Sequence, residues 1–530
     1  MFGAGPLQTM TDTNKAVYVR GLTIALSGGS VLVDGADLEV AYGQVVSLLG
    51  PSGGGKTTLL RALTSPRQSR REGLRIKWTD RHVSARRAHV PQKGALLDYL
   101  DVPSNVSLAQ AGNGLAVDAA RWLRAVELDE SVMLAGRRIE SISGGEAQRV
   151  AVARVLAAGR KLITMDEPSI GCDVMAVRGM ARLLVKQARE QKAAIILVTH
   201  DLDLAAGASD KILFLDPVRR SLVEVPWVSP AELDDGDGRR WKREKLQACV
   251  EGLMLQGRVP RGRSTRPGGG GSLSALWRAF RGTVIAPVLA AGDGVARAWG
   301  ARLHAESAVV FRLTLRESLV RPALFFAAVG GLLGFTVPYV IANISQDLRA
   351  AAVFELIKGT YILSLAPPLS AIVFAATSGS AVNAWLGGLQ LQGQVTALGG
   401  VGVSCARYLW SPAWRALVLA YVVAFGVFTL AMLVGGWVLY STEGVDNAAA
   451  LLTADFLGPP PSRRPYLLRG LWSVGAYALF NASIAVARGR ERKATAGDVT
   501  GAMTSSVMRT TLLVVSMELL TVILLRRWET

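Results

Sequence analysis

The sequence predicts an α/β domain followed by an all-α transmembrane domain of about five spans plus an interfacial helix. Two observations carry this. Short apolar strand-like runs alternate with polar-faced helical windows as far as about residue 215. Beyond Arg321, long windows without charge follow one another towards the end of the chain. With 50% hydrophobic residues and a mean hydropathy of +0.31, the 530-residue chain is too apolar to be disordered. Its 56 glycines show no period of three, which excludes collagen. Cys172, Cys249 and Cys405 lie too far apart for a disulfide framework or a four-ligand zinc site. The net charge of +18 suits a nucleic-acid binder, and equally a membrane protein with arginine-rich flanks.

In chain order, residues 1–225 form the α/β unit, with strands expected at Val45–Leu49, Leu162–Met165 and Ala194–Val198. The first fifteen residues lack the basic and apolar regions of a signal peptide, so this half is expected to stay on the side where it is made. Residues 226–272 read as a basic and glycine-rich linker, from the charge run Arg239–Lys245 to Gly268–Gly271. Residues 273–320 alternate apolar and arginine positions (Trp277, Arg278, Phe280, Arg281, then Phe311, Arg312, Leu315, Arg316). They read as an amphipathic interfacial helix or, equally, as a packed helix.

Residues 321–530 form the transmembrane domain. Pro322–Gln346, Gly359–Ala406, Ala416–Thr442 and Gly470–Ala487 carry no charge, and Thr510–Leu525 carries only Glu518. The second window, 48 residues long, exceeds one span. It divides into a span over about 360–380 and a glycine-rich re-entrant or surface helix. Five spans put the two ends on opposite sides. Arg312, Arg316, Arg321, Arg407, Arg415 and Arg488 favour the side of the N-terminal half as the inner one, whereas Arg526 and Arg527 oppose it. Glu518 is an expensive residue inside a span, either functional or bonded to a neighbouring helix.

Gly50-Pro51-Ser52-Gly53-Gly54-Gly55-Lys56-Thr57 fits GxxxxGK[ST], between an expected strand and a helix through Leu59, Leu60 and Leu63. Glycines let backbone N–H groups close around phosphates, and the helix N-terminus adds a favourable field. This P-loop, with Thr58 following, would bind ATP. Lys56 would reach the β- and γ-phosphates, and Thr57 would hold Mg²⁺. Leu162–Met165 ends in Asp166 and Glu167, which puts Asp166 beside the metal and leaves Glu167 to orient or deprotonate the attacking water.

Between these elements lies Ile142-Ser143-Gly144-Gly145-Glu146-Ala147-Gln148-Arg149. It resembles the signature motif of ABC-transporter ATPases, usually LSGGQ. The resemblance implies a P-loop nucleotide-binding domain of ABC type. It implies that Gln92 is the Q-loop residue and a sensor of Mg²⁺, that Asp173 belongs to the D-loop, and that His200 is the switch histidine at the γ-phosphate. It further implies a half-transporter acting as a homodimer, with Ser143, Gly144, Gly145 and Glu146 of one copy serving the ATP of the other. Leu26 stands where the family usually has an aromatic ring for adenine, and Glu146 replaces the usual Gln.

The second half resembles the MlaE-like permeases that work with MCE proteins. Leu365, Pro367, Leu369, Gly379, Gln394, Arg407 and Tyr408 fall in register within Ser364–Leu409, and Val499–Thr504 resembles the stretch before the last span. Trp385–Leu398, including Leu389 and Gln394, would be the coupling helix. The resemblance implies a phospholipid substrate and a multi-pass location in the inner (plasma) membrane, with the ATPase cytoplasmic. It also implies a hexameric MCE-domain partner and a STAS-type regulator, and no nucleic-acid partner. The alternatives are an ABC exporter of hydrophobic drugs or lipoproteins, and a non-transport ABC ATPase acting on nucleic acid.

Overall fold

The computed structural model describes residues 14–226 except 72, 93 and 94, parts of 244–251, 307–344, 360–445, 448, 451 and 460–528. They fall into two units. One holds the N-terminal residues together with Gln394–Ser404, and the other holds the remaining helices.

The core of the first unit is a six-stranded sheet in the order β10-β9-β3-β8-β7-β6. Its strands are β3 (Val45–Leu49), β6 (Arg87–Val90), β7 (Leu162–Asp166), β8 (Ala194–Val198), β9 (Lys211–Asp216) and β10 (Ser221–Val225). All neighbours are parallel except β10 with β9. β3, β7 and β8 are buried at every position, which is why they read as unbroken apolar runs. All three expected strands are present. A second, antiparallel sheet has β1 (Lys15–Ala25) paired with β2 (Val31–Ala41), β4 (Arg75–Lys77) and β5 (Asp80–Val83).

The helices of this unit include α1 (Lys56–Thr64), α2 (Val102–Ala111), α3 (Ala119–Ala125), α4 (Gly144–Ala157), α5 (Val174–Gln191) and α6 (Leu202–Ala208). Leu59, Leu60 and Leu63 of α1 are buried between the two sheets. Leu246 and Val250, read from sequence as linker, pack on Leu49, Phe214 and Val225. Their apolar spacing was hidden in a charged segment. The rest of 226–272, and 273–306 of the expected interfacial helix, lie outside the described residues.

The second unit is helical. It holds α7 (Ser307–Leu315), α8 (Ala323–Ile344), α9 (Thr360–Phe374), α10 (Ser380–Leu391), α11 (Ser411–Thr442), α12 (Pro460–Gly489) and α13 (Ala496–Trp528). One-turn π segments at Arg316–Val320 and Ala375–Gly379 join α7 to α8 and α9 to α10. Among the described residues four helices are long and apolar enough to cross a membrane: Ser307–Ile344, Ser364–Leu391, Ala406–Thr442 and Arg469–Gly489. The fifth expected window, Thr510–Leu525, lies within the 33-residue α13.

Two expectations change here. Ser307–Val320 runs on into the first apolar helix. The long window does not break near residue 380: a π segment at Ala375–Gly379 takes up one extra residue and the helix continues through Leu391. α8 and α11 meet backbone to backbone. A Cβ on Gly334 would lie 2.0 Å from the Met432 carbonyl oxygen, and one on Gly435 would lie 2.0 Å from that of Gly331.

Candidate active site and its docking segment

The P-loop joins β3 to α1 through backbone angles that side chains disfavour. Gly53 has φ +79° and Gly55, which precedes the first turn of α1, has φ +96°. No side chain caps that turn, so its N–H groups remain available to an anion. Lys56 is buried, and its Nζ donates to the carbonyl oxygens of Gly50 (2.8 Å) and Pro51 (3.0 Å). His200 Nε2 lies 3.1 Å from the same Nζ and 3.5 Å from Ser52 Oγ. The ammonium is thus held inside the curl of the loop by carbonyl acceptors that phosphate oxygens can replace.

Glu167 follows β7 with φ +52°, a left-handed conformation that is rare for a residue with a side chain. Its N–H donates to Val198 O (2.7 Å), and its carboxylate accepts from His200 N (3.1 Å). His200 Nε2 lies 3.3 Å from its other oxygen. Lys56, Glu167 and His200 therefore form one cluster, drawn from the segments that follow β3, β7 and β8 at the C-terminal ends of these parallel strands. Burial raises the Glu167 carboxyl above its ordinary range, against the pull of His200 and Lys56. Burial also raises Asp166 and lowers Lys56.

Thr57 lies beside the Asp166 carboxylate and lowers its pKa, against the larger effect of burial, and Asp166 Oδ1 is buried without a partner. A hydroxyl beside an orphaned carboxylate oxygen is a fitting ligand pair for Mg²⁺, whose remaining positions would go to phosphate and water. Among the described residues no cluster of three or more His, Cys, Asp and Glu offers a metal site made of protein ligands alone. Gln92, two residues beyond β6, is exposed.

Ser143 caps α4. Its side chain accepts from Glu146 N (3.3 Å), while Glu146 Oε2 accepts from Ser143 N (2.7 Å). This reciprocal box accounts for Glu at a position usually held by Gln, since either side chain can accept the N–H. Ser143 and Gly144 are exposed, as are Ser52 and Gly53 of the P-loop. Asp173 accepts from Ala176 N (2.8 Å) and so caps α5. Leu26 is 40% exposed at the turn between β1 and β2.

The expected coupling helix divides. Gln394 and Leu398 lie in the helix Gln394–Gly400, which packs in the first unit; Trp385 and Leu389 belong to α10 in the second. Leu389 is buried there. Gly393, at φ +75°, makes the turn between the two helices. In the first unit Asn113 Nδ2 donates to Val401 O (2.9 Å) and Arg160 Nη2 to Gly402 O (3.4 Å). A Cβ on Gly400 would lie 3.1 Å from His89 O, and one on Gly112 would lie 2.8 Å from Val403 Cγ2. Asn113 and Arg160 carry no motif and were not legible in the sequence.

In the second unit Glu518 is fully engaged. Arg469 Nη2 donates to its Oε2 (2.6 Å) and Tyr477 to its Oε1 (2.5 Å). The only signal for this in the sequence was an arginine at the head of an apolar window.

Residues 33–170 match the ABC transporter family model and residues 313–524 that of Permease MlaE. The Hemin import ATP-binding protein HmuV of Streptomyces coelicolor is 36% identical over 37% of this chain and 72% of its own length. Aliphatic sulfonates import ATP-binding protein SsuB 2 of Rhizobium johnstonii is 38% identical over 47% and 96%. Among solved structures, a dimeric ATP-binding cassette bound to ADP and phosphate is 24% identical. It covers 39% of this chain and 97% of its own, with a TM-score of 0.33.

Proposed function

Because the chain belongs to the ABC transporter family and carries a permease half of MlaE type, we propose that it is a half-transporter whose homodimer uses ATP to move phospholipid. The observation that carries this is the Lys56–Glu167–His200 cluster on the same chain as the MlaE match. The relatives are ATP-binding proteins of hemin and aliphatic sulfonates import, but they match the ATPase half and bear no information on the permease half.

In this reading Lys56 exchanges the carbonyls of Gly50 and Pro51 for the β- and γ-phosphate oxygens. Thr57 and Asp166 would hold Mg²⁺, with Gln92 as its sensor, and the ion would neutralise charge on the phosphates. Glu167 accepts a proton from water as the water oxygen bonds the γ-phosphorus and the bond to the bridging oxygen breaks, leaving ADP and phosphate. His200 holds Glu167 from one side and would meet the γ-phosphate from the other. Exposed Ser143 and Gly144 of one copy would close on the P-loop of the other, with Asp173 at the dimer seam.

The Gln394–Ser404 segment would carry the ATPase cycle to the permease half. The apolar helices, with small residues at their contacts, suit a lipid better than a polar solute. An MCE-domain partner and an inner-membrane location with the ATPase cytoplasmic belong to the same proposal. The test is mass spectrometry of the chain purified in detergent, with ATPase activity measured in lipid vesicles. Phospholipid enriched over the bulk membrane and stimulating turnover supports the proposal. Absence of bound lipid, with stimulation by hydrophobic drugs alone, overturns it.

A further inference from the structure

The antiparallel sheet of the ATPase unit bears a second concentration of positive charge, which ATP hydrolysis does not use. Between Pro66 and Arg87 lysines and arginines far outnumber the two carboxylates, Glu72 and Asp80. A charge run of this kind is commonly a solvated face, with the heads in water. This one is built differently.

Arg70 and Arg81 lie over the ring of Trp78, 4.9 and 4.7 Å from its centroid. Their Nη2 atoms are anchored on Ile76 O (3.0 Å) and Leu63 O (2.7 Å). Arg81 Nε is buried without a hydrogen-bond partner. Arg87 is half-buried on β6, and among the described residues no carboxylate forms an ion pair with Arg70, Arg81 or Arg87. Burial, then the charges of Arg87 and Arg70, hold Arg81 below its ordinary range. Fixed guanidiniums crowding one another without a counter-ion leave an electrostatic vacancy for an anion.

These groups open onto a space of suitable size. A cleft of about 640 Å³ is lined by Ser65, Pro66, Arg81, His82 and Arg87, within the range of small-molecule sites. Ser65 ends α1 and Lys56 begins it, so the cleft and the P-loop lie at opposite ends of a nine-residue helix.

We propose that this cleft is a second anion site, in which Arg81, Arg87 and His82 bind a small phosphate-bearing molecule carrying two or more negative charges. The planar Arg87 guanidinium can match phosphate oxygens in pairs, while Arg81, fixed by Trp78 and Leu63 O, adds a positive charge at the same wall. The inference does not depend on lipid transport.

The test titrates inorganic pyrophosphate into the full chain in detergent, by calorimetry, with Lys56→Ala silencing the P-loop. Lys56→Ala should retain one site. Adding Arg87→Gln should weaken that site by about tenfold or more, and Arg87→Lys should restore part of the loss. Among the described residues Arg87 makes no side-chain hydrogen bond, and Trp78 is stacked by Arg70 and Arg81 rather than by Arg87, so its replacement leaves the packing around Trp78 intact. A parallel titration with water-soluble short-chain phosphatidic acid separates the sources. Tighter binding than pyrophosphate assigns the site to a lipid headgroup; weaker or equal binding assigns it to a free phosphate compound. Equal pyrophosphate affinity with and without Arg87→Gln overturns the proposal, and so does no binding to Lys56→Ala.

Discussion

Gly145 and Gly171 touch backbone to backbone: a Cβ on Gly145 would lie 2.2 Å from the Gly171 carbonyl oxygen. The loop after Glu167 thereby rests on the first turn of α4, and Cys172 Sγ reaches Gly145 O at 4.0 Å. Backbone cannot yield as a side-chain tip would. Gly145→Ala should cost about 1–3 kcal/mol through overpacking and lower turnover by displacing this loop. Thermal unfolding of the purified chain, together with its ATPase rate, checks both effects.

Glu167→Gln keeps the shape of the side chain and its contact with the His200 N–H, but removes the base. Turnover should fall by about 10²–10⁴-fold, with ATP still bound. The base acts only when ionised, and burial raises its pKa from the ordinary 4.5. The wild-type rate should therefore fall as pH drops through that raised value, and the acid limb should be absent from the residual rate of Glu167→Gln. A steady-state pH profile of both proteins decides this.

His89 gives the ATPase unit an acid sensitivity of its own. Half-buried, with its Nδ1 bonded to Thr164 Oγ1 at 3.0 Å, it is pushed down to about 4 from 6.5 by burial and then by the Arg61 charge, against the Thr164 bond. The unfolded chain thus binds this proton first, so the stabilisation is complete above about pH 6.5 and is lost as pH falls from there towards 4. The loss should be of the order of 3 kcal/mol. His89→Gln should flatten the slope of stability between these pH values. An unchanged slope in chemical denaturation would remove His89 as the cause.

The Arg469–Glu518 pair is expected to hold α12 to α13. Glu518→Gln leaves the guanidinium uncompensated in apolar surroundings and should cost about 3 kcal/mol. Tyr477→Phe removes one hydrogen bond and should cost about 1–2 kcal/mol. Arg469→Met combined with Glu518→Gln should recover part of the loss. If Glu518→Gln instead stops lipid movement with an unchanged melting temperature, the carboxylate serves transport rather than packing.

Asn113 ties the ATPase unit to the segment proposed as its coupling element. Asn113→Leu removes the bond to Val401 O, and lipid movement per ATP should fall several-fold while basal hydrolysis persists. Simultaneous assays in vesicles measure that ratio. A parallel decline of both would show that Asn113 supports the fold of the ATPase alone.

Much of the active site was legible because its chemistry is local. A strand, a glycine turn and a helix start lie within a dozen residues, and a carboxylate pair ends a buried strand. The buried strands were legible for a related reason: a strand covered on both faces must be apolar at every position. The Ser143–Glu146 box also lies within one turn, though the reason for Glu146 became visible only in its bond to Ser143 N.

Other features depend on residues far apart in the chain. The break expected near residue 380 is absent, and the helix continues through a π segment there. Glu518 finds Arg469 and Tyr477 on another helix, and Asn113 finds Val401. The amino-acid sequence determined the ATP chemistry and the apolar character of the second half, since both follow from residue types at short spacing. Tertiary structure alone decided which helix turn packs with the ATPase, what neutralises Glu518 and which arginines gather around Trp78. Those outcomes are set by packing between distant segments, and residue type constrains such packing without choosing the partner.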